Sequence, residues 1–227
     1  MILVIFCEFC SMPMLTESKV GKRGKLGIWH ITESPDELLK MKIFSTEDRA
    51  TLDSFSYEQR KKEWLVARIL AEKLSEEKDI HIIYDEHSKP SLKGSKKYIS
   101  LSHSHDLLAV ILDEAETGID IELIKPKIER IKEKFMSDPE LKSLQREKQE
   151  EQLTVFWCAK ESLYKLYGKK ELEFKKHLLV EPFEYLEKGK IRADILHPSL
   201  KQKFVLHYEK ISIYGKEYMM TYIINEG

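Results

Sequence analysis

Apolar and polar residues alternate along this chain with two spacings, and the spacing changes along its length. Ile2 to Phe6 and Leu26 to Ile31 are short apolar runs separated by the polar, glycine-containing stretch Glu17 to Lys25, and both runs predict strands. Ser34-Pro35-Asp36-Glu37 predicts a helix start, with serine as N-cap, proline at the first position and acids in the first turn. Trp64, Leu65, Ile69, Leu70 and Leu74 recur at helical spacing and predict a helix over Tyr57 to Ser75. Ile80 to Tyr84 predicts a strand, and Lys89-Pro90 with Gly94 a loop. Tyr98 to Ser102, Leu107 to Leu112 and Gly118 to Ile124 read as three more strands. The short polar turn Asp113 to Thr117 between the last two predicts a hairpin.

After Pro126 the pattern turns helical. Ile128 to Met136 is one piece, Asp138-Pro139-Glu140 restarts another, and Leu153 to Tyr167 is a third, closed by Gly168 in the C-cap position. Leu178 to Glu184, Phe204 to Tyr208 and Tyr218 to Ile224 then read as strands. This order predicts an α+β fold with two similarly sized halves, 1–114 and 115–227, meeting within Leu112 to Gly118. No residue-level repeat, low-complexity tract or long linker separates them, so the halves are expected to pack closely.

Composition narrows the function classes. Lys and Arg number 38 against 39 Asp and Glu, a net charge of −1, which argues against a globally basic nucleic-acid surface while leaving room for a local basic pocket. The three cysteines, Cys7, Cys10 and Cys158, cannot form an even disulfide framework, which points to a reducing compartment. Cys7 and Cys10 form a C-x-x-C pair, but no second pair with zinc spacing follows, and the pair does not open a helix after a strand. The apolar start lacks a basic leader and a small-residue cleavage site, and no run approaches the roughly 18 apolar residues of a membrane span. A cytoplasmic protein is expected.

Three constellations carry candidate chemistry. In Gly118-Ile119-Asp120-Ile121-Glu122, a strand places Asp120 and Glu122 on one face. Two such carboxylates suit a hard divalent cation, although a half-exposed strand with a polar outer face has the same alternation. In Trp157-Cys158-Ala159-Lys160-Glu161-Ser162-Leu163-Tyr164-Lys165, at about 100° per residue, Leu153, Trp157 and Tyr164 share a bearing. Glu161 and Lys165 lie one turn apart on the opposite flank; by themselves they are also an ordinary i,i+4 pair. Lys160 falls within the apolar arc and must either snorkel to water or end at an acid or phosphate. Finally, Ser100-Leu101-Ser102-His103-Ser104-His105 closes a strand with hydroxyls and imidazoles able to donate to phosphate. No G-x-S-x-G elbow surrounds these serines, so a hydrolase triad is not expected.

Taken together, Ser102-His103-Ser104, Gly118-x-Asp120-Ile121-Glu122 and Trp157-x-x-Lys160-Glu161-Ser162-x-x-Lys165 with Gly168 resemble the signatures of the Sfp-type 4′-phosphopantetheinyl transferases. Lys89-Pro90 and the Phe135-Met136 to Glu140 stretch match as well, so the resemblance covers about Tyr57 to Phe174; Met1 to Val20 has no clear counterpart. It implies a pseudo-dimer of two α+β halves, monomeric, with the cofactor in the cleft between them. It further implies transfer of the phosphopantetheine arm of coenzyme A to a serine of an acyl, peptidyl or aryl carrier protein, with release of adenosine 3′,5′-bisphosphate. By position, Asp120, Glu122 and Glu161 match the acids that hold Mg²⁺ (or Mn²⁺), and Lys165 and His103 the residues on the phosphates. Lys89 and Ser102 match residues lining the nucleotide site, and Arg60 and Arg68 lie where basic residues approach the 3′-phosphate. Glu161 is the expected acceptor of the serine proton, alone or through a metal-bound water. A metal-dependent phosphohydrolase or nuclease using the same acids, and a protein that binds coenzyme A or a carrier domain without turnover, are the alternatives. The charged segment Leu141 to Gln152 leaves the carrier open.

Overall fold

A computed structural model describes residues 15–77 and 80–224; the expected strand Ile2 to Phe6 and the Cys7–Cys10 pair lie outside the described residues. Among the described residues, eleven strands and seven α-helices follow one another in blocks of strands and blocks of helices. The strands are β1 (Leu15–Val20), β2 (Gly24–His30), β3 (Ile82–Tyr84), β4 (Pro90–Leu92), β5 (Tyr98–Ser104), β6 (Leu107–Asp113), β7 (Gly118–Leu123), β8 (Leu178–Val180), β9 (Lys188–His197), β10 (Leu200–Ile213) and β11 (Lys216–Ile223). The helices are α1 (Pro35–Leu39), α2 (Thr46–Asp53), α3 (Glu58–Ser75), α4 (Lys132–Phe135), α5 (Asp138–Lys142), α6 (Gln149–Tyr167) and α7 (Phe174–His177). The fold is α+β, as the sequence pattern predicts.

Two antiparallel sheets organise it, one of order β1-β2-β6-β5 and one of order β7-β11-β10-β9-β8, with β3 and β4 as a separate ribbon. Helix α3 packs on the first sheet, burying Leu65, Val66 and Leu70 against Trp29 and Val110. Helix α6 packs on the second, burying Phe156 and Leu163 against Ile195, Leu206 and Met219. A third core lies between the sheets and contains Ile28, Leu107, Ala109 and Ile111 with Ile119, Ile121 and Met220. Strand β6 therefore has both faces covered. Leu108, Val110 and Leu112 face α3, while Leu107, Ala109 and Ile111 face the second sheet. That is why its sequence is apolar at nearly every position instead of alternating.

The hairpin expected across Asp113 to Thr117 does not form. β6 pairs with β2 and β5, whereas β7 crosses to the other sheet and pairs with β11. A short polar turn signals a reversal but cannot name the partner, and β11, whose residues pair with β7 from far along the chain (Gly118 with Ile223), competes successfully for β7. Other differences are local. Part of the polar stretch Glu17 to Lys25 is strand β1, and the Lys89-Pro90 loop includes the short strand β4. The helix expected over Ile128 to Met136 is a 3₁₀ segment, Pro126–Ile131, followed by α4. β9 was not expected, although Ile191, Ala193 and Ile195 are its buried face at period two. Ser34 caps α1 as predicted, in a reciprocal capping box with Glu37.

Candidate active site

The two glycines of the signatures are required by close approach. A Cβ on Gly118 would overlap the carbonyl oxygen of Ser162, so its absence lets β7 lie directly on α6. Gly168 takes φ +75° and donates its N–H to Tyr164 O at 2.9 Å, ending α6 in the left-handed conformation that favours glycine. The Lys89 side chain passes over Gly168 where a Cβ would stand, and its Nζ donates to Leu166 O at 2.6 Å. Lysine and glycine together thus finish the helix.

With β7 and α6 in contact, their acids face one another. Asp120 is buried. Its Oδ1 accepts from Lys165 Nζ at 2.7 Å and from Ser102 Oγ at 2.8 Å, while its Oδ2 is buried with no hydrogen-bond partner. Glu122 accepts from Ser104 Oγ at 3.0 Å. Desolvation, and then the Asp120 charge, raise its pKa; bonds from Ser104 and Trp157 and the Lys165 charge oppose the rise. Glu161 is pushed up to about 7, first by desolvation and next by Asp120, with Lys165 working against the shift and Glu122 adding to it. Two carboxyls whose proton affinity is raised by burial and by the Asp120 charge beside them form a site that a cation relieves.

Among the described residues, no three His, Cys, Asp or Glu side chains are drawn together as a ready-made metal cage. The Lys165 ammonium, also bonded to Ile119 O at 3.1 Å, occupies the position beside Asp120 that a cation would share. The bare Oδ2 of Asp120 and the raised proton affinity of Glu122 and Glu161 beside it nevertheless fit a divalent ion. Mg²⁺ is commonly held by one or two carboxylates, with substrate phosphate completing its shell.

A cavity of about 250 Å³ is lined by the first sheet, the β3–β4 ribbon and both long helices, and two of its lining residues, Ser102 and Lys165, are the ones that bond Asp120. Its cations are Arg60, Lys89, Lys165, Lys169 and Lys170, with His87 and His103, and its apolar walls include Trp64, Tyr84, Pro90 and Tyr164. Lys89, Ser102, His103, Arg60 and Lys165 are thus brought together, as the sequence signatures suggest. Arg68 is not. It is buried behind the wall, its guanidinium 3.4 Å from the Trp64 ring centroid, bonded to Trp64 O and Ile82 O and 3.6 Å from Asp48. Lying one helical turn beyond Trp64, Arg68 stacks on the indole instead of reaching the cavity.

Two further residues stand out only in three dimensions. Glu63, on α3, holds His103 Nδ1 at 3.4 Å and Gln59 Nε2 at 3.2 Å, with Arg60 at 3.8 Å. Its sequence signal is an acid beside the apolar stripe of α3. Glu140 receives Lys160: the fully buried Nζ donates to Glu140 Oε2 at 2.8 Å, Phe135 O at 2.6 Å and Phe174 O at 3.1 Å. Lys160 therefore ends at an acid and not at a phosphate. Glu140 is otherwise satisfied by the N–H groups of Ser137 and Val180. This pair ties the Phe135-to-Glu140 stretch to α6.

The fold and cavity define an α+β protein with a cation-lined pocket, tied through Ser102 and Lys165 to Asp120. The family profile described as the 4′-phosphopantetheinyl transferase superfamily matches residues 116–223. The chain is 33% identical over 116 residues to the 4′-phosphopantetheinyl transferase AcpT of Salmonella typhimurium, covering 48% of this chain and 60% of that protein. It is 41% identical over 75 residues to the 4′-phosphopantetheinyl transferase psf-1 of Bacillus pumilus, covering 32% of each. The matched regions thus span less than two thirds of these relatives' lengths. Among the described residues, no helix is long and apolar enough to cross a membrane.

Proposed function

We propose that this protein transfers the 4′-phosphopantetheine arm of coenzyme A to a serine of an apo acyl, peptidyl or aryl carrier protein, releasing adenosine 3′,5′-bisphosphate. The observation that carries the reading is a cation-lined cavity whose Ser102 and Lys165 both bond Asp120, the acid whose charge acts on Glu122 and Glu161. The cavity lies where the two halves meet, consistent with a pseudo-dimer binding its substrate in the cleft. Arg60, Lys89, Lys169 and Lys170 offer charge for the phosphates, and Trp64 and Tyr84 offer flat apolar surface for the base.

In the reaction the carrier serine oxygen bonds to the β-phosphorus, and the bond from that phosphorus to the bridging pyrophosphate oxygen breaks. Charge leaves with adenosine 3′,5′-bisphosphate, so catalysis calls mainly for alignment and neutralisation. Lys165 and His103 donate to phosphate oxygens. Glu161 accepts the serine proton, its carboxyl being the one held nearest neutrality in its proton affinity. Asp120, Glu122 and Glu161 hold Mg²⁺ (or Mn²⁺), which when bound supplies charge neutralisation to the pyrophosphate.

The test is the dependence of product release on the acceptor. Adenosine 3′,5′-bisphosphate should appear from coenzyme A only when apo carrier protein is present. Steady release without a carrier would instead identify a phosphohydrolase.

A further inference from the structure

Ser100, Ser102 and Ser104 share one face of β5, and their hydroxyls meet the free edge of β7. Ile119 N donates to Ser100 Oγ at 3.1 Å, Ile121 N to Ser102 Oγ at 3.2 Å and Leu123 N to Ser104 Oγ at 3.1 Å. Two edge strands of different sheets are thus bridged by side chains, where a continuous sheet would use backbone carbonyls. Backbone N–H groups can only donate, so each hydroxyl accepts and keeps its single proton for another partner. On the second rung that partner is Asp120 Oδ1 at 2.8 Å. On the third it is Glu122 Oε2 at 3.0 Å, with His105 Nδ1 farther away at 3.5 Å. The first rung has no acid, because the residue preceding Ile119 is Gly118. On the second rung the outcome is visible: Oδ1 is saturated by Ser102 and Lys165, leaving Oδ2 as the one bare oxygen.

We propose that Ser102 and Ser104 are positioning residues for the cation site, each fixing one oxygen of the strand acid on its own rung while tying that rung to the opposite half. The inference rests on the reading of Asp120 and Glu122 as cation ligands. Ser104 is its sharpest case, since Ser104 is not among the residues lining the cavity. Ser100 supplies an internal control: it makes the same bridge to β7 without touching an acid.

The test is Mn²⁺ binding to the full chain, followed by the electron paramagnetic resonance of free Mn²⁺ at a fixed saturating concentration of coenzyme A, with thermal midpoints recorded in parallel. Ser104→Ala and Ser102→Ala should each weaken Mn²⁺ binding about 10-fold, the size typical of removing a hydrogen bond behind a metal ligand. Ser100→Ala should lower the thermal midpoint comparably and leave Mn²⁺ affinity within about 2-fold of wild type. Ser104→Thr, which keeps the hydroxyl, should restore binding. Equal weakening by all three alanine variants would show that the serines only hold the halves together, and would overturn the inference. So would unchanged affinity in Ser104→Ala and Ser102→Ala while Asp120→Asn abolishes binding, and in that case the cation reading survives. Wild-type protein that binds Mn²⁺ no better than Asp120→Asn would overturn both.

Discussion

At the scale of single residues, the carboxyl of Glu161 and the ammonium of Lys160 make opposite demands. Glu161 has its pKa raised to about 7 from an ordinary 4.5, chiefly by desolvation. Below about pH 4.5 this carboxyl is neutral in both folded and unfolded chains. From there to about 7 only the unfolded chain ionises, so folding stability falls with rising pH and stays reduced above it. In metal-free buffer, Glu161→Gln should match wild type near pH 4.5 and be the more stable by about 2 kcal/mol at pH 8. Thermal unfolding across that range measures it, and a pH-independent difference would contradict the burial argument. Lys160 is neutralised in place by Glu140, and removing one partner of a buried pair strands the other. Lys160→Met should cost about 3–5 kcal/mol in urea denaturation, and adding Glu140→Gln should recover part of it. The sequence placed Lys160 inside the apolar arc and required an acid or phosphate for it. Only packing could say which, because Glu140 is 20 residues away on a separate short helix. Arg68 shows the converse: a basic residue at a plausible spacing was taken by the neighbouring Trp64 ring.

At the scale of elements, the site depends on how closely β7 lies against α6. Gly118→Ala would force a methyl into the Ser162 carbonyl oxygen, and neither backbone can yield without moving its element. The expected cost is about 1–3 kcal/mol, with loss of transfer because Asp120 and Glu161 are carried apart. Chemical denaturation together with a transfer assay would check both, and a fully active, fully stable alanine variant would refute the close-contact argument. Element existence was largely legible: α3, α6, β5, β6, β7 and the capped α1 follow from periodicity and cap residues. Pairing was not. The run Leu107 to Asp113 and the run Gly118 to Leu123 look like hairpin partners until the edge of β7 is met by serine hydroxyls, and hydrogen bonds of that kind leave no periodic trace. The place of the serines at a strand end suggests phosphate donors, whereas all three accept from β7.

For the molecule as a whole, neither half holds the site alone. The first sheet and α3 supply Arg60, Ser102 and His103, and the second sheet and α6 supply Asp120, Glu122, Glu161 and Lys165. The core between the sheets, built on β6 and β11, fixes their relation. The signatures were legible in the sequence because both are local runs on one strand or one helix. Glu63, which orients His103 from α3, belongs to neither run and was found only by contact. Together these parts are proposed to move the phosphopantetheine arm. The direct measurement is to incubate the protein with coenzyme A, Mg²⁺ and an apo carrier protein and weigh the carrier by mass spectrometry. The expected result is a gain of one phosphopantetheine arm on the carrier serine, absent with folded Glu161→Gln protein. A carrier left unchanged by well-folded wild-type protein across acyl, peptidyl and aryl carriers would contradict it.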